Sequence, residues 1–449
     1  MTSGLKLSTA AIAMLTAVGL GAMPAGAADL GGNCCADLEE RIAELEATTA
    51  RKGNRKVKLE VSGHVNEAII FWDDGFESNA GVYTNDAART RFRFKGSAKI
   101  NDDFSAGYLL EIGVRGANSK RFNQDQPSAT GADNGLDLRH SVWYLDSKKF
   151  GRLWVGLTAG AGESVTETNI AGTGDVAKYA DLEDLAGGLG LRLANGNFTR
   201  SGTGNINIDG ATGVTNDVTL RRLIRDNGDQ PGEGRRYDMV RYDTPEIAGF
   251  IGTVNWGGDD TWEMGLRYKA DFSGFKLAAA IAYGETSQRG GTIGIQCLAA
   301  PVAGVADADC NQLGGSIAVM HEPTGLYAQF AAGYLEDELT PAGRDDRSEF
   351  FAGEVGIQQK WTPLGKTTVF GQYYNNDGGA NSRGFGGAGQ ILNSEVESYS
   401  LAVMQGIDAA AMNVYIMYRN VQSEATFTGA GFIEYEDIDL VLAGGIIKF

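Results

Sequence analysis

Proline is scarce in this chain, 8 of 449 residues, and cysteine (4) and histidine (3) are scarcer. With so little proline, the 64 glycines signal neither collagen nor a proline-rich linker. Four cysteines exclude a disulfide-dense miniprotein, and with three scattered histidines they leave little room for a metal site. Positive charge is also short: 39 basic against 57 acidic residues give −18, which argues against nucleic acid as a partner. Beyond the N-terminus no run of 18 apolar residues occurs; a helical membrane protein is thereby excluded. What the chain does have is glycine, at about 14% roughly twice the usual share.

Met1–Ala27 reads as a secretory signal: Lys6 is the positive head, Leu7–Met23 the apolar stretch and Ala25-Gly26-Ala27 the small-residue cleavage site. Cleavage after Ala27 starts the mature chain at Ala28-Asp29 and leaves 38 basic against 57 acidic residues. Cys34–Ala50 carries a helical period. Leu38 and Leu45 take d positions, with Cys35 and Ile42 at a, a short coiled-coil core. Two heptads do not hold alone, so several copies must be gathered by something else; one amphipathic helix docked on its own domain is the alternative. Arg51–Lys56 then breaks the pattern as a basic hinge.

From residue 56 onward the period is two. Val57, Leu59, Val61 and Val65 alternate with Lys58, Glu60, Ser62 and His64; Phe92 and Phe94 alternate with Arg91, Arg93 and Lys95. Sixteen strands are expected, near 57–72, 89–100, 104–115, 137–146, 151–159, 236–244, 247–257, 262–270, 275–284, 315–322, 325–335, 349–360, 366–374, 395–407, 411–420 and 437–449. Short turns alternate with long Gly-rich connections, and no linker divides the region into separate cores. The final strand ends on the aromatic Phe449, which suits the rim of an apolar band. In lipid only a closed sheet satisfies every backbone N–H and C=O. The expected fold is therefore all-β: a 16-stranded antiparallel transmembrane β-barrel over 56–449, a coiled-coil segment and hinge over 28–55, and a signal peptide over 1–27. Greasy residues should face oil and ionic ones water, with no hydrophobic middle.

Several stretches carry a family resemblance: Cys34–Glu46, Arg91-Phe92-Arg93-Phe94, Val240-Arg241-Tyr242-Asp243-Thr244-Pro245 followed by Gly249-Phe250, and the terminal Phe449. Together they resemble the trimeric porins of the alphaproteobacterial outer membrane. The resemblance implies a homotrimer among outer-membrane lipids that passes small hydrophilic solutes and ions passively. It also implies that the long loop after the fifth strand folds into the pore. In some relatives the mature N-terminus is tethered to peptidoglycan, and Ala28 and Asp29 stand at the matching position. No cofactor, metal or catalytic group is implied.

A diffusion pore takes its selectivity from the charges at its narrowest section. Two sets of opposite sign are candidates. Arg91, Arg93, Lys95, Lys99, Arg139 and Arg241 should line the pore on one side. Glu163, Glu167, Asp175, Asp181, Glu183 and Asp184 should lie in the inward loop and face them. Arg221, Arg222, Arg225, Arg235 and Arg236 either reach the constriction or decorate a loop. Cys297 and Cys310, 13 apart in one external loop, are the candidate disulfide. Gly384-x-Gly386-x-x-Gly389 matches a dinucleotide motif but lacks the strand and helix that motif requires. Alternative readings are an 18-stranded substrate-specific channel, a secreted or surface adhesin with a trimeric stalk, and a barrel enzyme. The first would need inward aromatics, and positions such as Trp143 are too few; the last lacks a nucleophile–base set.

Overall fold

The computed structural model describes residues 57–125, 135–198, 218–224, 230–258, 260–287, 309–338, 340, 345–379, 391–427 and 431–449. The expected signal peptide, the coiled-coil residues Cys35, Leu38, Ile42 and Leu45, the tether position Ala28-Asp29, and Cys297 lie outside them. The strands are β1 (Lys58–Asp73), β2 (Ser78–Thr84), β3 (Arg91–Lys99), β4 (Phe104–Arg115), β5 (Gly135–Ser147), β6 (Gly151–Ala159), β7 (Arg236–Asp243), β8 (Phe250–Trp256) and β9 (Thr261–Phe272). They continue as β10 (Phe275–Thr286), β11 (Cys310–His321), β12 (Leu326–Asp337), β13 (Arg347–Thr362), β14 (Gly365–Asp377), β15 (Ile391–Ile407), β16 (Met412–Phe427), β17 (Gly431–Glu434) and β18 (Ile438–Lys448).

These eighteen segments occupy sixteen places in one antiparallel sheet. β2 and β3 both pair with β1, and β17 and β18 both pair with β16, so each couple is one interrupted strand. β1 pairs with β18 from His64↔Lys448 to Asp73↔Asp439, which closes the barrel and leaves no edge. Closure at sixteen places sets aside the 18-stranded alternative. Two pieces, Ser78–Thr84 and Gly431–Glu434, were not expected as strands. The first is short and rich in small and polar residues, and the second has four residues; neither can show a period.

Local chemistry explains the short connections at one end. Between β9 and β10, Ser273 (φ 50°) and Gly274 (φ 82°) make a two-residue turn with both central residues left-handed, matching the twist of the paired strands. Between β3 and β4, Asn101 Oδ1 accepts from the N–H groups of Asp103 and Phe104. Long connections fill the opposite end.

Alternation sorts the side chains. Val61, Val65, Met264, Leu266, Val355, Leu401 and Ile447 are exposed on the outer face, as a lipid-facing band requires. Trp143 belongs to that face too, 51% exposed, rather than to the interior. A bulge explains the reversal. Ile112 pairs with Leu138 but Glu111 pairs with His140, leaving Arg139 extra in the ladder and inverting the alternation beyond it.

The interior is divided, and the expectation of no hydrophobic middle fails on one side. Val176, Leu182, Leu185, Leu189 and Leu191 of the connection after β6 cluster with Leu220 and Ile224 and with the inward Ile70, Phe370, Met417 and Leu442. All are buried. Burial is worth about 1.5–3 kcal/mol for each large side chain, enough to fix a long segment inside a barrel. The polar part of the interior lies on the opposite side, against β3, β5 and β7.

Candidate functional site

The connection after β6 runs along the inner wall, and inward-facing donors take up several of its carbonyls. Arg267 Nη2 on β9 donates to Glu163 O (2.6 Å), and Ser316 Oγ on β11 to Val165 O (2.5 Å). Gln358 Nε2 on β13 donates to Ala171 O (2.7 Å), and Gln372 Nε2 on β14 to Ala177 O (3.0 Å). Asn66 Nδ2 on β1 donates to Asp175 O (3.0 Å) and Asn85 Nδ2 to Val176 O (2.9 Å). Backbone that cannot join the sheet is thus satisfied by amides, a hydroxyl and a guanidinium group that point inward. Glu354 on β13 is a central anchor. Its carboxylate accepts from Thr173 Oγ1 (2.7 Å), Tyr327 OH (2.8 Å) and Gln372 Nε2 (2.8 Å). A second glutamate, Glu263 on β9, is buried at the root of the loop, where Asn255 Nδ2 donates to it (3.0 Å). Cβ atoms at Gly160 or Gly234 would collide with its carboxylate, so a larger residue at either position would force Glu263 to move.

Pressed against β8 to β1, the loop leaves open a polar cavity of about 350 Å³ on the other side. The wall presents Arg89, Arg91, Arg139, Arg235 and Arg236 to it, and the loop presents Glu163, Asp181, Glu183 and Asp184. Asp86, Lys120, Arg121, Asp137, Lys178, Arg221 and Glu233 also border it. Among the described residues, nine basic and seven acidic side chains therefore border this cavity, in a chain whose total charge is −18.

Of the residues selected from sequence, Arg91, Arg139, Glu163, Asp181, Glu183 and Asp184 meet at this cavity. Arg93 stands one step along the wall, bound to Glu111. Lys99 is exposed at the short-turn end, 2.5 Å from Asp102, and Lys95 is exposed beside it. Arg241 pairs with Asp243 on its own strand (2.9 Å). Glu167 binds Lys178 (2.5 Å), and Asp175 binds Lys448 (2.6 Å) and Asn413 (2.8 Å); neither borders the cavity. Of the uncertain arginines, Arg221, Arg235 and Arg236 do border it, Arg222 does not, and Arg225 lies outside the described residues. Cys310 is disulfide-bonded.

Sequence reasoning missed Arg89, Lys120, Lys178 and Glu111. Glu111 was within reach. A turn centred on Asp102 places residue 111 opposite residue 93, which supplies the buried carboxylate that crowded arginines need. Its side chain is fully buried, with Arg139 Nε at 2.8 Å and Arg93 Nε at 2.7 Å. Electrostatics in the loop follow from burial. Burial opposes the charge on Lys178, but Asp181, Glu167 and Asp184 outweigh it and hold the ammonium well above its usual range. Burial pushes the Asp181 carboxyl up to about 8, against the pull of Lys178.

The family described as Gram-negative porin matches residues 9–426. No curated protein matches the chain. Among solved structures, the anion-selective porin from Comamonas acidovorans is similar with a TM-score of 0.51 at 15% identity, over 88% of this chain and 100% of that one. OmpT of Vibrio cholerae, an outer membrane protein folded in vitro, is similar with a TM-score of 0.50 at 12% identity, over 89% and 100%. At such identities the likeness is one of fold, and it agrees with the sixteen-place closed barrel. With the match spanning nearly the whole chain, the conclusion is direct: the chain belongs to the Gram-negative porin family.

Proposed function

We propose that this protein is an outer-membrane general diffusion porin whose constriction is the charge-divided cavity between the wall of β3, β5 and β7 and the loop after β6. Small hydrophilic solutes and ions pass through it down their gradients. One observation carries the reading: arginines on the wall face carboxylates on the loop across about 350 Å³ of polar space. A solute crossing such a gap keeps polar partners on both sides, whereas an apolar solute loses hydration and gains nothing. Arg91 and Arg139 act on the basic side, and Glu163, Asp181, Glu183 and Asp184 on the acidic side. The excess of basic groups in the lining gives a weak preference for anions, opposite to the sign of the whole chain.

The working assembly in this reading is a homotrimer of the alphaproteobacterial type. The Val240-Arg241-Tyr242-Asp243-Thr244-Pro245 stretch and the heptads of 34–50 support it. The same heptads would gather the subunits in the periplasm, with Ala28-Asp29 as the link to peptidoglycan. Liposome swelling tests the diffusion reading. Vesicles holding the protein should swell in neutral sugars at rates that fall with sugar size; swelling no faster than that of bare vesicles would refute it.

A further inference from the structure

Three carboxyl groups of the loop are not free to set the charge of the passage, because one lysine of the same loop holds them. Lys178 Nζ lies 2.5 Å from Glu167, 2.6 Å from Asp181 and 3.7 Å from Asp184. Glu233, on the return of the loop, has a carboxylate oxygen within 4.8 Å of those of Glu167 and Asp181. Four carboxyl groups thus gather about this ammonium, and Asp184 also lies 3.6 Å from Lys120. The lysine side chain keeps 27% of its surface open and borders the cavity, so a passing ion feels its charge.

The remaining loop acids have other partners. Glu163 is bound by Arg236, and Glu183 by Lys120 (2.9 Å). We propose that Lys178 is the specificity-determining residue of the passage: by neutralising the loop from within, it leaves the wall arginines to set a preference for anions. Without it, Glu167 loses its partner and the loop turns acidic toward the solute. The same field holds Lys178 protonated, so its positive charge is present across the physiological pH range.

The inference deepens the porin reading and rests on it. Its test is the reversal potential of single channels in a KCl gradient, measured on the full-length protein as wild type, Lys178→Gln and Lys178→Arg. The Gln variant should still conduct, with its chloride-to-potassium permeability ratio moved toward potassium by at least about threefold, the change that one unit charge ~6 Å away makes in water. The Arg variant should keep the wild-type ratio. A conducting Gln variant with an unchanged ratio overturns the proposal and leaves the porin reading intact; a silent wild type defeats the porin reading itself. Should the Gln variant fail to insert, Glu167→Gln carries the test. Removing that carboxylate must move the ratio toward chloride, and no movement overturns the proposal.

Discussion

Glu111 on β4 stands directly opposite Arg93 on β3, and Arg93 Nε donates to its carboxylate at 2.7 Å while Arg91 and Arg139 close on the same group from either side. One buried carboxylate is therefore what allows three arginines to crowd a single stretch of wall. Glu111→Ala should cost about 3 kcal/mol, the usual penalty for removing one partner of a buried pair, reduced by the solvent that reaches Arg93. Urea unfolding in detergent measures it. Glu111→Gln, which keeps the shape, should cost less, and equal losses for the two variants would count against a charge-based role.

Position along the wall decides which basic residues matter to ions. Arg91→Ser and Arg139→Ser should each move reversal potentials toward cations, because both side chains border the cavity. Lys95→Ser and Lys99→Ser should leave them where they were, since those lysines are exposed toward the short turns. Equal effects from all four would place the constriction elsewhere.

The sixteen places of the barrel were legible because dyad alternation is a direct image of a sheet with oil on one side. Where alternation is locally inverted, the image misleads: the bulge at Arg139 sends Trp143 outward, and no composition signal marks it. The constriction was legible only in part. Arg91 and Arg139 sit on strands, where parity assigns a face. Arg89, Lys120 and Lys178 come from irregular segments, where position is set by long-range contacts such as Lys178 with Glu167. The apolar side of the interior was hidden for a related reason. Inward Ile70 and Leu442 alternate with outward apolar residues, so those strands show no contrast between their faces.

Acid in the loop makes selectivity depend on pH. The Asp181 carboxyl, pushed up to about 8 by burial, is largely protonated below that pH and ionised above it. Raising pH from 6 to 9 therefore adds negative charge beside Lys178, Glu167, Asp184 and Glu233. The anion preference should weaken with a midpoint near 8. In Asp181→Asn that step should vanish; a step that persists assigns the titration to another group.

Anchoring of the loop predicts a mechanical effect. Glu354→Ala removes the acceptor shared by Thr173, Tyr327 and Gln372 and leaves buried donors unpaired, at a cost of about 2–3 kcal/mol. The freed loop should give noisier single-channel currents with frequent sublevels. Quiet traces at the wild-type level would show that the apolar cluster alone holds the loop.

Deleting 34–50 should leave conductance per channel unchanged and lower the temperature at which the oligomer dissociates in mild detergent. Unchanged dissociation would remove the coiled-coil role from the account.

Planar-bilayer recording of the purified protein addresses the existence of a continuous water path most directly. Discrete, ohmic current steps are expected, in triplets if three barrels insert together, with a modest excess of chloride over potassium permeability. A folded barrel that inserts into the bilayer yet passes no current would mean that the loop and its apolar cluster seal the interior, and would contradict the porin reading.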